Sequence, residues 1–165
     1  MSFRNSELWR TFIKEAFNVP VKLVKFCCML HITRTYILDF AYAPGPSMLP
    51  TLNLSGDILL VDRISPRFRK VAPGDIVLVV SPENPRKIIT KRLTAMEDDI
   101  VTLSSVDPDN TDKCDTLVVP KGHIWVQGDN IYASRDSRDF GPVPYGLLYG
   151  KVFWRIWPIK QLGPL

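Results

Sequence analysis

Apolar residues recur at helical spacing near the start of the chain, at Leu8, Trp9, Phe12, Ile13, Ala16 and Phe17, with Arg10, Lys14 and Glu15 between them. This spacing predicts an amphipathic helix, capped by Asn5 or Ser6 and stopped by Pro20. Its apolar face suits either a membrane interface or a partner protein. Residues 21–43 are apolar overall, but Lys22, Lys25, Arg34 and Asp39 interrupt the run. No stretch of about 18 residues is free of charge, so hydropathy alone does not establish a membrane span. A charge at the middle of a helix costs about 3 kcal/mol on insertion scales, although Arg34 and Asp39 can snorkel from one end. The segment also lacks the clean apolar core and small-residue site of a cleavable signal peptide.

The texture changes after residue 44. Short runs rich in β-branched residues appear at 58–61, 76–80, 87–93, 100–103, 117–119, 124–127 and 148–156. Turn signals separate them: Ser55-Gly56-Asp57, Pro73-Gly74-Asp75, Ser81-Pro82-Glu83-Asn84-Pro85 and Pro108-Asp109-Asn110. The expected fold is mainly β, a barrel or sandwich with little helix over 44–165, preceded by an N-terminal helical, membrane-associated segment over 1–43.

A chain of 165 residues is long enough to bury a real core. The net charge of +4 is unevenly placed, because residues 1–43 hold six Lys/Arg against three Asp/Glu. A basic, apolar segment suits an anionic membrane surface. Nucleic acid is a poorer fit, since the body has no dense Lys/Arg cluster. Three cysteines, Cys27, Cys28 and Cys114, form no C-x-x-C pair, and only two histidines exist to assist them. No structural metal or disulfide framework is expected, and the thiols are expected in packed positions.

The chemistry concentrates on Ser47, in Gly45-Pro46-Ser47-Met48-Leu49-Pro50, and on Lys91, in Ile88-Ile89-Thr90-Lys91-Arg92-Leu93. A serine hydroxyl needs a base to take its proton, and lysine is one such base. Prolines on both sides of Ser47 stiffen its loop, which suits a held nucleophile and equally an ordinary Pro-rich turn. On a strand, Lys91 shares a face with Ile89 and Leu93, while Ile88, Thr90 and Arg92 share the other. Burial among apolar neighbours would lower the lysine pKa; a surface lysine guarding a sheet edge fits the same local pattern. A close S-x-x-K site is excluded, because 47–50 read Ser-Met-Leu-Pro. His123 is the only other base near these blocks, and its place at the head of the apolar run 124–126 suits structure better than a histidine triad.

Four blocks in order resemble the type I signal peptidase family: the Ser47 loop, Gly74-Asp75-Ile76-Val77, the Lys91 run, and Gly128-Asp129-Asn130-Ile131-Tyr132-Ala133-Ser134-Arg135-Asp136-Ser137-Arg138. The ending, through Gly122-His123-Ile124-Trp125, Phe140-Gly141-Pro142 and Ile156-Trp157-Pro158, is most similar to the mitochondrial inner-membrane branch. The resemblance implies a serine endopeptidase with Ser47 as nucleophile and Lys91 as base. It implies that Ser134 orients the lysine and that Asp136 and Arg138 brace the loop as an ion pair. It implies oxyanion and substrate contacts around Ser47, Gly45 and Met48, with no cofactor and no metal. The expected substrates are precursor proteins with cleavable presequences. A membrane anchor, a related second peptidase subunit and a catalytic domain facing the intermembrane space are expected with them. Two departures stand out. Some bacterial relatives carry a serine where this chain has Gly45, which leaves the second oxyanion donor unassigned. The usual Gly-x-Pro-Gly-Asp turn is replaced by Ala95-Met96-Glu97-Asp98-Asp99. Rival readings are a scaffold subunit without activity, a bacterial-type secretory peptidase, and a self-cleaving repressor, which would need a helix-turn-helix that residues 1–43 lack.

Overall fold

The computed structural model describes the backbone of residues 3–105 and 113–165. The expected turn at Pro108-Asp109-Asn110 and the Cys114 side chain lie outside the described residues. Two compact units appear, residues 1–37 and 38–165.

The first unit is one long helix, α1 (Phe3–Ile32), followed by a π-helical turn at Thr33–Ile37. The helix runs through Pro20 and does not stop there. Proline lacks the N–H for one helical bond, yet its φ is compatible with the helix, so flanking residues can carry it through. Val19, Leu23, Val24, Phe26, Met29 and Leu30 are all exposed. Cys27 and Cys28 are exposed thiols as well, contrary to the packed positions expected for them. Among the described residues, no helix is long and apolar enough to cross a membrane.

The second unit is mainly β. Its strands are β1 (Leu38–Ala43), β2 (Asp57–Asp62), β3 (Ile76–Val80), β4 (Ile88–Ala95), β5 (Ile100–Ser105), β6 (Lys113–Val118), β7 (His123–Gln127), β8 (Val143–Pro144), β9 (Leu148–Trp157) and β10 (Gly163–Pro164). A one-turn helix, α2 (Ser137–Phe140), follows β7. The main sheet is antiparallel and curled, in the order β1-β2-β9-β3-β4-β7-β8, with β10 on β9. β5 and β6 form a separate hairpin. Each of the seven expected runs falls on a strand, with Lys87 and Val119 one residue outside theirs, whereas β1 falls in the stretch read as part of the N-terminal segment.

Burial explains the strand order. β3 reads Ile-Val-Leu-Val-Val and is buried on both faces, as a central strand must be. β9 alternates buried and half-buried positions along most of its length and lies between β2 and β3. Gly150 in β9 is required by close approach: a Cβ there would stand 2.3 Å from Val61 Cγ1. One core cluster gathers Met48, Leu52, Leu59, Val61, Ile76, Leu78 and Val152. A second gathers Val77, Val79, Leu93, Ile124, Val126 and Val143. The two share β3, one on each face, so the Ser47 loop and the β4–β7 wall are anchored in the same strand.

The unusual 95–99 segment is a tight turn after β4. Asp98 takes the left-handed conformation, φ 68°, that short polar residues tolerate. The Asp99 side chain accepts from the Met96 N–H at 2.8 Å, closing the turn without the expected glycine.

Leu59→Ala should lower unfolding free energy by about 2–5 kcal/mol, the range for emptying a fully buried leucine site. Urea denaturation of the full chain, followed by tryptophan fluorescence, should show a lower midpoint with an unchanged slope.

Candidate active site

A cleft of about 580 Å³ opens on the second unit. Its walls include Gly45, Ser47 and Met48 on one side and Ile88, Ile89 and Lys91 on another. The Ser47 loop starts at Gly45, whose φ of 113° is a left-handed conformation that favours glycine. Pro46–Met48 form a single 3-10 turn, closed by the Leu49 N–H on the Pro46 carbonyl. Met48 is 2% exposed and plugs the loop into the first core cluster, while Ser47 remains half-exposed in the cleft.

Lys91 lies in β4 and is 3% exposed. Leu93 is fully buried two residues on, whereas Arg92 between them is half-buried, so the alternation of faces holds here. The Lys91 ammonium is destabilised first by desolvation, which lowers its pKa; the Lys87 and Arg138 charges act in the same direction, while Asp136 opposes them. Lys91 Nζ donates to Ser134 Oγ at 2.8 Å. The Ser134 hydroxyl in turn donates to Asp136 Oδ2 at 2.6 Å.

Asp136 is the centre of this network and is wholly buried. Burial by itself would raise its pKa. The Arg138 guanidinium, the Gly128 N–H and the Ser134 hydroxyl overcome that and hold it down to about 2. Arg138 meets both carboxylate oxygens, with Nε–Oδ1 at 2.8 Å and Nη2–Oδ2 at 2.6 Å. The expected ion pair is present, but not as neighbours on one strand face. Asp136 is the N-cap of α2, with a capping box completed by Asp139, and Arg138 folds back from inside the helix.

Several contacts escape a reading of the sequence. The Asn130 N–H donates to the Ser47 carbonyl at 3.1 Å, and Asn130 Nδ2 donates to the Pro46 carbonyl at 3.1 Å. Gly128 makes this approach possible: a Cβ there would lie 2.4 Å from the Ser47 carbonyl oxygen and 2.1 Å from Ser134 Oγ. On the other side of β4, Arg92 grips Asp129 with two bonds of 2.7 Å, and Thr51 Oγ1 donates to the same carboxylate at 2.5 Å. The adjacent Lys91-Arg92 pair was the available signal, since neighbours on a strand point to opposite faces. His123 does not line the cleft, and its Nδ1 lies 3.1 Å from the Lys121 carbonyl oxygen. Gly45 is no oxyanion donor through its own N–H, which is already directed to the Leu54 carbonyl at 3.3 Å.

Comparison with known proteins gives the family of the chain. A family model described as "Signal peptidase, peptidase S26" matches residues 16–108 and 102–157. The chain belongs to the signal peptidase, peptidase S26, family. It is a serine endopeptidase of that type. It is similar to the mitochondrial ATP-independent inner membrane protease subunit 1b of Arabidopsis thaliana, with 49% identity over 100% of this chain and 97% of that one. It is also similar to the mitochondrial inner membrane protease subunit 1 of Homo sapiens, at 36% identity over 93% of this chain and 90% of the relative. A mitochondrial inner membrane protease subunit 2, from Danio rerio, is 38% identical over 81% of this chain and 73% of its own. The family's members thus include the subunits of a mitochondrial inner membrane protease.

Two outcomes follow from the Asp136–Gly128 geometry. Gly128→Ala should lower activity at least about tenfold while the core stays folded, because the new methyl must displace either the Ser47 carbonyl or Ser134. Far-UV circular dichroism beside a precursor-cleavage assay checks it. The depressed Asp136 pKa stabilises the fold above pH 4, and this contribution is lost as pH falls through about 2, since the unfolded carboxyl takes up its proton first. The loss amounts to roughly 2 kcal/mol. Urea titrations between pH 5 and 2 should show a correspondingly smaller pH dependence for Asp136→Asn.

Proposed function

We propose that this chain is the catalytic subunit of a membrane-bound protease that removes sorting presequences from precursor proteins at the mitochondrial inner membrane. Ser47 is its nucleophile and Lys91 its general base. Its catalytic unit, expected over residues 44–165, faces the intermembrane space, and it works beside a related second peptidase subunit. The observation that carries this reading is a buried lysine, tethered by Ser134, in the cleft that also holds Ser47. The names of its relatives support the setting, and the exposed apolar residues of α1 support attachment at the membrane through residues 1–43.

The chemistry uses the chain's own groups. One Lys91 N–H is spent on Ser134, which leaves the lone pair of the neutral amine for the proton of Ser47. Ser47 Oγ attacks the scissile carbonyl carbon while its proton passes to Lys91. The Ser47 backbone N–H is the natural first donor to the oxyanion, and Gly45 supplies no side chain for a second. Lys91 then hands the proton to the leaving amine as the C–N bond breaks, giving an acyl-enzyme. Water attacks the ester, Lys91 accepts its proton, and collapse of the adduct returns a proton to Ser47. Asp136 stays ionised throughout and orients Ser134 by accepting a hydrogen bond from its hydroxyl.

Two backbone edges prepare the cleft for an extended substrate. Among the described residues, β1 pairs only with β2, and the Ile88–Lys91 half of β4 pairs with β3 while β7 covers only the half from Arg92 onward. Tyr42 and Ala43 from β1 and Ile88–Thr90 from β4 both border the cleft. A peptide strand laid between them finds unpaired carbonyl and N–H groups on both sides.

Ser47→Ala should abolish precursor cleavage while the circular dichroism spectrum is unchanged. More than a few per cent residual turnover would remove Ser47 from the mechanism. Lys91→Arg should be as inactive as Lys91→Ala, because guanidinium cannot surrender its proton. In the parent, kcat/KM should rise with pH along an acid limb as Lys91 deprotonates, at a pH below the ordinary lysine range. Substantial turnover by Lys91→Arg would refute the base assignment.

A further inference from the structure

The mouth of the cleft carries charges that the mechanism leaves unused. Its charged lining residues are Glu83, Lys87 and Arg135, besides Lys91 itself. Glu83 and Lys87 belong to the β3–β4 loop, and Arg135 sits between Ser134 and Asp136. Arg135 Nη2 donates to Glu83 Oε1 at 2.5 Å, joining two loops that border the cleft. Their side chains are 72% and 41% exposed. An ion pair that exposed contributes little to the fold, typically below about 1 kcal/mol, so its partners are easily exchanged. Lys87 is exposed on the same loop, and its charge helps to lower the pKa of Lys91.

We propose that Arg135 and Lys87 form a charge filter, with Glu83 as a displaceable counter-ion, that rejects basic side chains next to the scissile bond. The proposal rests on the protease reading of Ser47 and Lys91. With Lys91 neutral and Glu83 matched by Arg135, Lys87 leaves the rim with a surplus positive charge. A Lys or Arg of the substrate meets that surplus. It can pair with Glu83 only by taking the ion-pair partner of Arg135, which then keeps only the weaker attraction of Asp139, in a cleft from which the peptide has excluded water. A neutral or acidic side chain carries no such penalty, and an acidic one can take the place of Glu83 on Arg135. Mitochondrial targeting segments are rich in arginine and poor in acidic residues. A rim that refuses basic residues therefore confines cleavage to the less basic stretches of the same presequence. It restricts which bond is cut without needing a deep pocket.

The test uses the full chain in detergent micelles with internally quenched decapeptides of uncharged residues. Gln, Lys or Glu is placed singly at each of the two positions on either side of the bond that is cut. At low salt, Lys should lower kcat/KM at least about tenfold relative to Gln at one or more positions. In Arg135→Gln/Lys87→Gln this ratio should shrink to within about threefold, and in Glu83→Gln it should widen. Raising the ionic strength should narrow it in the parent. Equal rates for Lys and Gln peptides at every position in the parent overturn the filter, as does an unchanged ratio in the double variant. Absence of Ser47-dependent cleavage of the Gln peptide overturns the protease reading and the filter with it. Gln-peptide cleavage with a Lys/Gln ratio near one overturns the filter alone.

Discussion

The arrangement of the site depends on one buried anion. Asp136 has no contact with solvent, and it is kept charged by a guanidinium, a hydroxyl and a backbone N–H that all converge on it. A carboxylate in that position would be costly if any donor were missing. Because the donors are there, the cost becomes an orienting force. The Ser134 hydroxyl must donate toward Asp136, so its lone pairs face Lys91, and the lysine is drawn into a place where its charged form is disfavoured. The same carboxylate caps α2 and holds Gly128 against the Ser47 loop, so the cap, the close approach and the lysine tether are one assembly.

A second ionic brace works from the opposite side of β4. Arg92 holds Asp129, and Thr51 holds it too, which ties the loop after β7 to the chain just beyond Ser47. Adjacent residues of one strand therefore serve two purposes. Lys91 faces inward to the apolar wall, and Arg92 faces the polar side to fasten the surrounding loops. Neither Arg92 nor Asp129 lines the cleft, and the proposed proton transfers run through neither.

Much of this was legible in the sequence, for physical reasons that can be named. Seven of the strands from 57 onward announce themselves by β-branched runs between Gly, Pro and Asp turns, while the two-residue β8 and β10 are too short to leave a pattern. The burial of Lys91 was legible only through the linked motifs, because the alternation of faces that groups it with Ile89 and Leu93 suits a surface lysine at a sheet edge as well. β1 was not, because Leu38–Ala43 continues an apolar stretch that reads the same as the end of a helix. The passage of α1 through Pro20 was hidden by the general rule that proline stops helices. Asn130, Gly128 and the Arg92–Asp129 grip act through distant partners, and strand order is not encoded in any local pattern. The pair Glu83–Arg135 is likewise formed by two unremarkable surface residues that only the fold brings together. In the Asp136–Arg138 case the partners were read correctly while the local structure was not, since a cap and a one-turn helix bring i and i+2 together as well as a strand does.

The order of the strands has a consequence for when activity can appear during synthesis. β9, near the end of the chain, is inserted between β2 and β3, and both the hydroxyl that tethers Lys91, on Ser134, and the Asn130 N–H that holds the Ser47 carbonyl come after residue 127. A growing chain that has already emerged with Ser47 and Lys91 still lacks the strand that joins the two halves of its sheet and the serine that tethers its lysine. On the proposed mechanism, a chain that stops short of β9 holds the nucleophile and the base without the frame that brings them together.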